Sequence, residues 1–122
     1  MPAIQRIVPI LPVADIARAI DFYRRLGFVA NRYQGSGGGG GYAFLSRDPF
    51  EIHITHVDGF SEGTSVCGVY FYLAPGSAAS LEDEFRNAGV PILSPLAPRP
   101  WRMNEFVISD PDTNLLRFGE PA

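Results

Sequence analysis

Residues Asp15–Phe28 read "DIARAIDFYRRLGF", and residues Ser77–Val90 read "SAASLEDEFRNAGV". How these two stretches relate decides the fold. In the first, Ile16, Ala19, Ile20 and Tyr23 fall at i, i+3, i+4 and i+7, the spacing of one buried helical face. Asp15 has a carboxylate suited to accept from the free N–H groups of a first turn. Gly27 suits the left-handed backbone that ends a helix. The second stretch follows the same plan. Ser77 is its expected cap, Ala78, Leu81, Phe85 and Ala88 form its apolar face, and Gly89 and Pro91 stop it. The two caps are 62 residues apart, and so are Gly27 and Gly89.

Strand-like sequence surrounds both helices in the same order. "AIQRIVPILPV" (Ala3–Val13) is a β-branched strand interrupted by Pro9 and Pro12; lost ladder donors assign it to a sheet edge. After the first helix come "FVANRY" (Phe28–Tyr33), "YAFLSR" (Tyr42–Arg47) and "FEIHITHV" (Phe50–Val57). The second half opens with "VCGVYFYL" (Val66–Leu73) and closes with "VPILS" (Val90–Ser94), "EFVISD" (Glu105–Asp110) and "NLLRFGE" (Asn114–Glu120). One β-α-β-β-β order in each half is what tandem duplication produces. The expected fold is therefore α+β, a single domain over residues 1–122 with one module over about 1–60 and the other over about 61–122.

Inside the first half lies "GSGGGGGYAF" (Gly35–Phe44). A phosphate-cradling loop needs its glycines between a strand and a helix. Here strand sequence stands on both sides, and no Lys-Ser or Lys-Thr pair follows. A linker between modules would fall at the module boundary rather than within a module. The tract reads as a long hairpin connection, serving either as a plain connector or as a flap beside a pocket.

Composition narrows the function classes. At 122 residues the chain can bury about two-thirds of its unfolded surface. With 46% hydrophobic and 19% charged residues and a net charge of −3, it is globular and has no basic block for nucleic acid. The longest uncharged run, Gly63–Leu81, is broken by glycines, a proline and hydroxyl residues, so no membrane span is expected. Cys67 is alone, which excludes an intrachain disulfide and fits a reducing, cytoplasmic setting. Within its apolar run it reads as a buried small hydrophobe.

Few residues carry obvious chemistry. In "EIHITHV", Glu51 and His53 share one strand face and His56 takes the other. His53 is either a hydrogen-bonded strand histidine or a ligand-contacting group, and Glu51 with His53 is too small a set for a metal. Trp101, the only tryptophan, lies in the proline-rich "RPWRMNEF". It is either a stacking platform for a flat ligand or a plug at the open end of the sheet. "SDPDTN" (Ser109–Asn114) is a turn between two strands.

Three stretches, "VPILPVADIARAIDFYRRLGF", "YAFLSRDPFEIHITH" and "PWRMNEFVISDPDTNLLRFGE", together resemble the vicinal oxygen chelate superfamily of glyoxalases, extradiol dioxygenases and bleomycin resistance proteins. The likeness is strongest to the bleomycin resistance branch. It implies a curved, partly open mixed sheet barrel with helices outside, closed by homodimerisation and possible exchange of the first strand. Metal-using members carry ligands at positions that correspond here to Val8, Glu51, Gly68 or Tyr70, and Arg117. Valine cannot ligate and a guanidinium repels a divalent cation, so no metal and no cofactor is expected. Thr113 stands where the family has glycine.

The resemblance thus implies sequestration of a planar, cationic or aromatic drug-like ligand in a groove at the dimer interface. Trp101, Tyr70, Arg117, His53 and Phe44 would line it, and there would be no catalytic residue. The rival expectation is a lyase, isomerase or dioxygenase with an atypical site around Glu51, His53 and Glu105. A third is an accessory module that contacts a protein partner through Trp101 and the glycine loop.

Overall fold

Both helices form where the apolar spacing placed them. In the computed structural model, which describes residues 2–33 and 41–122, α1 spans Ile16–Arg25 and α2 spans Ala78–Asn87. The Asp15 carboxylate accepts from the Arg18 backbone N–H at 3.0 Å, as a cap should. Gly27 and Gly89 take φ of 85° and 81°, so both exits use the left-handed region that glycine favours. Ser77 differs from expectation: its side chain makes no cap bond. The Glu120 carboxylate takes that place, accepting from the backbone N–H groups of Gly76 and Ala78. An anion brought from elsewhere in the chain satisfies the positive end of α2. On α2, Ala78 and Phe85 are buried and Leu81 packs partly, but Ala88 is exposed.

Eight strands form two four-stranded mixed sheets. The first contains β1 (Ile10–Val13), β2 (Val29–Arg32), β3 (Tyr42–Arg47) and β4 (Phe50–His56), in the order β1-β4-β3-β2. The second contains β5 (Gly68–Tyr72), β6 (Ser94–Arg99), β7 (Met103–Ser109) and β8 (Leu115–Pro121), in the order β5-β8-β7-β6. In each, the first strand runs parallel to the fourth and the remaining pairs are antiparallel. The repeated β-α-β-β-β order and the α+β class are thus observed directly.

Three details correct the sequence reading. The first strand begins only at Ile10; ahead of it the Pro9 carbonyl accepts from the His53 N–H of β4 and Arg6 pairs with Glu51, while Ile4 and Ile7 are 88% and 86% exposed. The sixth strand is not Val90–Ser94 but the proline-bearing Ser94–Arg99, which tolerates Pro95 and Pro98 because it is an edge strand with an irregular register. Cys67 is exposed rather than buried, because the connection entering β5 leaves it and Val66 outside the core. The glycine tract Gly35–Gly40 lies outside the described residues.

One core joins the halves. Leu11, Ile20, Tyr23, Leu45 and Ile54 meet Phe85, Phe106, Ile108 and Phe118 in a single buried cluster. Within it, Phe118 stacks between Phe71 and Phe106 at ring distances of 4.6 and 5.1 Å. A polar junction lies beside it. Tyr23 donates to Asp110 at 2.8 Å, the Asn114 amide donates to the Pro12 carbonyl at 2.9 Å, and Ala14 N–H donates to Asp112 at 3.1 Å. Asp110 also receives the backbone N–H groups of Asp112 and Asn114, which closes the "SDPDTN" turn. Thr113 keeps the glycine-like backbone, with φ of 64°, and its hydroxyl donates to the Ser65 carbonyl at 2.8 Å. Of the described residues, no helix is long and apolar enough to cross a membrane.

Candidate ligand-binding site

Strand alternation sends Ala43, Leu45, Ile52 and Ile54 into the core and leaves their neighbours on the opposite face. On the first sheet those neighbours include Tyr42, Phe44, Glu51 and His53. Phe44 and His53 are direct partners across β3 and β4, with ring centres 4.9 Å apart and edge to face. Tyr42 approaches Phe44 at 5.5 Å and His53 at 5.3 Å, and Tyr33 reaches Phe44 at 6.4 Å. Both imidazole nitrogens are engaged: Nδ1 with the Tyr42 hydroxyl at 2.7 Å, Nε2 with Glu51 Oε2 at 2.8 Å. The other Glu51 oxygen pairs with Arg6 at 3.0 Å. Hydrogen bonding from His53 is the main cause holding the Glu51 carboxyl below its ordinary range, with Arg6 adding to it.

The second sheet carries its own cluster. Tyr70 lies opposite Arg117 in the β5–β8 ladder, so two of the expected residues are neighbours. Tyr70 and Tyr72 hold their rings 4.7 Å apart. The Tyr70 hydroxyl is buried without a well-formed hydrogen bond among the described residues, directly over Gly119, where any Cβ would overlap it. Burial pushes its pKa up to about 12, and the nearby Glu105 carboxylate adds to the shift. Glu105 itself is 3% exposed. It accepts from Trp101 Nε1 at 3.2 Å and stands 3.9 Å from Arg99. Trp101 is 58% exposed at the tip between β6 and β7, so it does not plug the sheet.

The five expected residues therefore fall into two groups, Phe44 with His53 and Tyr70 with Arg117 and Trp101. Among the described residues no ring contact or hydrogen bond joins the groups directly. Between the halves opens a cleft of about 930 Å³ whose walls include Val8, Glu51, Ile52, Tyr70, Tyr72 and Leu81. Of the five, only Tyr70 lines it. Sequence reading missed Tyr42, Tyr72 and Gly119. The first two were available from parity, since each sits two residues from a residue already chosen; the seat at Gly119 depends on a cross-strand pairing that spacing does not disclose.

The positions that hold metal in metal-using relatives do not suit one here. Val8 has no donor atom, Gly68 no side chain, and Arg117 brings a positive charge. Glu51 is already bonded to His53 and Arg6. Among the described residues no three His, Cys, Asp or Glu side chains converge.

Comparison with known proteins agrees with this architecture. The model of the glyoxalase/bleomycin resistance protein/dioxygenase superfamily matches residues 3–118. The chain belongs to that superfamily. It is 31% identical to bleomycin resistance proteins of Geobacillus stearothermophilus and Staphylococcus aureus, over 91% of this chain and 92% of theirs. Among solved structures, a bleomycin resistance determinant encoded on the transposon Tn5 superposes with a TM-score of 0.79 at 21% identity, covering 97% of this chain and 98% of that one. A bleomycin-binding protein complexed with bleomycin gives 0.76 at 21%, covering 98% and 100%. At such identities the structural matches establish the fold. The superfamily includes binding proteins as well as enzymes.

Proposed function

We propose that this protein is a metal-free, homodimeric binding protein of the bleomycin-resistance type, which sequesters a planar, cationic or aromatic drug-like molecule in the reducing cytoplasm. The observation that carries this reading is the loss of ligating side chains at the positions of the superfamily's metal: Val8, Gly68 and Arg117 stand there, and only Glu51 keeps a carboxylate. Arg117, opposite Tyr70 in the β5–β8 ladder, brings a guanidinium where a metal would need a lone pair. The surrounding faces present Trp101, Tyr72, Phe44 and Tyr42, surfaces made for stacking. The 31% identity to bleomycin resistance proteins supports the same reading.

Dimerisation follows from what one chain leaves unfinished. Its two aromatic clusters are separate, its N-terminal arm leaves Ile4 and Ile7 exposed, and β1 lies at a sheet edge. A second copy that supplies an arm would cover Ile4 and Ile7 and bring one cluster of each chain toward the other, giving a groove with two aromatic walls. In this arrangement Trp101, Tyr70, Arg117, His53 and Phe44 line a shared site. No bond is made or broken; the drug is held away from its target.

Titration with bleomycin, followed by Trp101 emission, tests the reading, with metal analysis on the same sample. Saturable quenching by a protein without stoichiometric metal is expected. Trp101→Ala is expected to cost about 1–3 kcal/mol of binding, as for a stacked anchor. Stoichiometric iron, zinc or manganese, or an unresponsive Trp101, would overturn it.

A further inference from the structure

With the His53 imidazole neutral, the Arg6–Glu51–His53–Tyr42 chain has a single consistent set of hydrogen-bond directions. An ionised carboxylate can only accept, so at neutral pH the bond between Glu51 and His53 requires the hydrogen on Nε2. Neutral imidazole carries one hydrogen, which leaves Nδ1 with a lone pair. Nδ1 then accepts from the Tyr42 hydroxyl across 2.7 Å. That bond consumes the phenol's single hydrogen. What Tyr42 has left for a ligand is oxygen lone pairs and no donor.

The rings near that oxygen are partly open to solvent. Tyr42 is half-buried, while Phe44 and Tyr33 are 37% and 48% exposed, and the three meet edge to face. A flat ring laid against Phe44 would bring its rim near the Tyr42 hydroxyl. We propose that Tyr42 is a specificity-determining residue of a subsite on the first sheet, which selects planar heteroaromatic groups that present an N–H. Glu51 and His53 act through Tyr42 as positioning residues. A ring with an acceptor atom at the same place meets lone pair with lone pair and is rejected, because a desolvated polar group left unpaired is costly. The inference rests on the reading that this face binds planar ligands, and it names which ones.

Indole and benzofuran provide the probe pair, since they share shape and differ by N–H against ring oxygen. Binding is followed in the full-length protein by NMR shifts of the Tyr42 and His53 ring signals. Indole is expected to bind about threefold to tenfold tighter than benzofuran, the worth of one neutral hydrogen bond. Tyr42→Phe should abolish that preference, weakening indole by loss of its acceptor and tightening benzofuran by removing the facing lone pairs. His53→Phe frees the phenol to donate and should shrink it below about twofold. Nitrogen-15 spectra of His53 should show the proton on Nε2, a signature that a purely structural role for the residue would not require.

Equal binding of the two probes, no perturbation by indole at millimolar concentration, or a proton on Nδ1 would each overturn the proposal even if bleomycin binds. A Tyr42-dependent preference for indole in a protein that ignores bleomycin would uphold the subsite and remove the drug reading instead.

Discussion

Tyr23 carries a hydroxyl into the junction between the halves, where Asp110 accepts it at 2.8 Å in full burial. Burial, reinforced by the Asp110 charge, holds the phenol's pKa well above its ordinary value. A group whose folded pKa is raised gives stability that is complete below its unfolded pKa, about pH 10 for tyrosine, and lost as pH rises toward the folded value. Tyr23→Phe is therefore expected to cost about 1–2 kcal/mol at neutral pH and to flatten the loss of stability in alkali. Urea melts across a pH series measure both effects. At Gly119 the argument is steric. A methyl group there collides with the Tyr70 hydroxyl, so Gly119→Ala should tilt that ring, cost about 1–3 kcal/mol of stability and weaken bleomycin binding. Unchanged melting and unchanged affinity would show that the ring has room to move.

Among the elements, α2 shows how a cap can be supplied from far away in the chain. Glu120→Ala is expected to destabilise by about 1–3 kcal/mol, since it leaves two N–H groups of the helix entrance without their anion. Ser77→Ala should stay within about 0.5 kcal/mol, because that hydroxyl caps nothing. Chemical denaturation of the two variants would rank them, and the reverse order would refute the cap assignment. The same element shows what spacing discloses. Helix periodicity and terminal glycines are local, so α1, α2 and the duplicated order were legible in the sequence. Glu120 lies 42 residues from Ala78, and nothing local announces their contact. The sixth strand was misplaced for a related reason: Pro95 and Pro98 argue against a strand, and only its position at an edge makes them tolerable. For the site, alternation on β4 foretold that Glu51 and His53 share a face, while the split into two clusters followed from how the sheets pack.

At the scale of the whole molecule, the arm before β1 leaves Ile4 and Ile7 exposed. If the proposed dimer forms through this arm, removing residues 2–9 is expected to give a monomer in light scattering, to make stability independent of protein concentration, and to weaken bleomycin binding. A dimer that persists without the arm would relocate the interface. The inter-half junction has a further consequence, for synthesis. Tyr23, Pro12 and Ala14 wait for acceptors and donors that lie 87 to 102 residues downstream. A nascent chain can pair the strands of its first sheet early, yet those groups find their partners only once the turn that holds Asp110, Asp112 and Asn114 has left the ribosome. Until then the first half is a sheet with an open seam, and the Ser109–Asn114 turn is the piece whose emergence lets the two halves close.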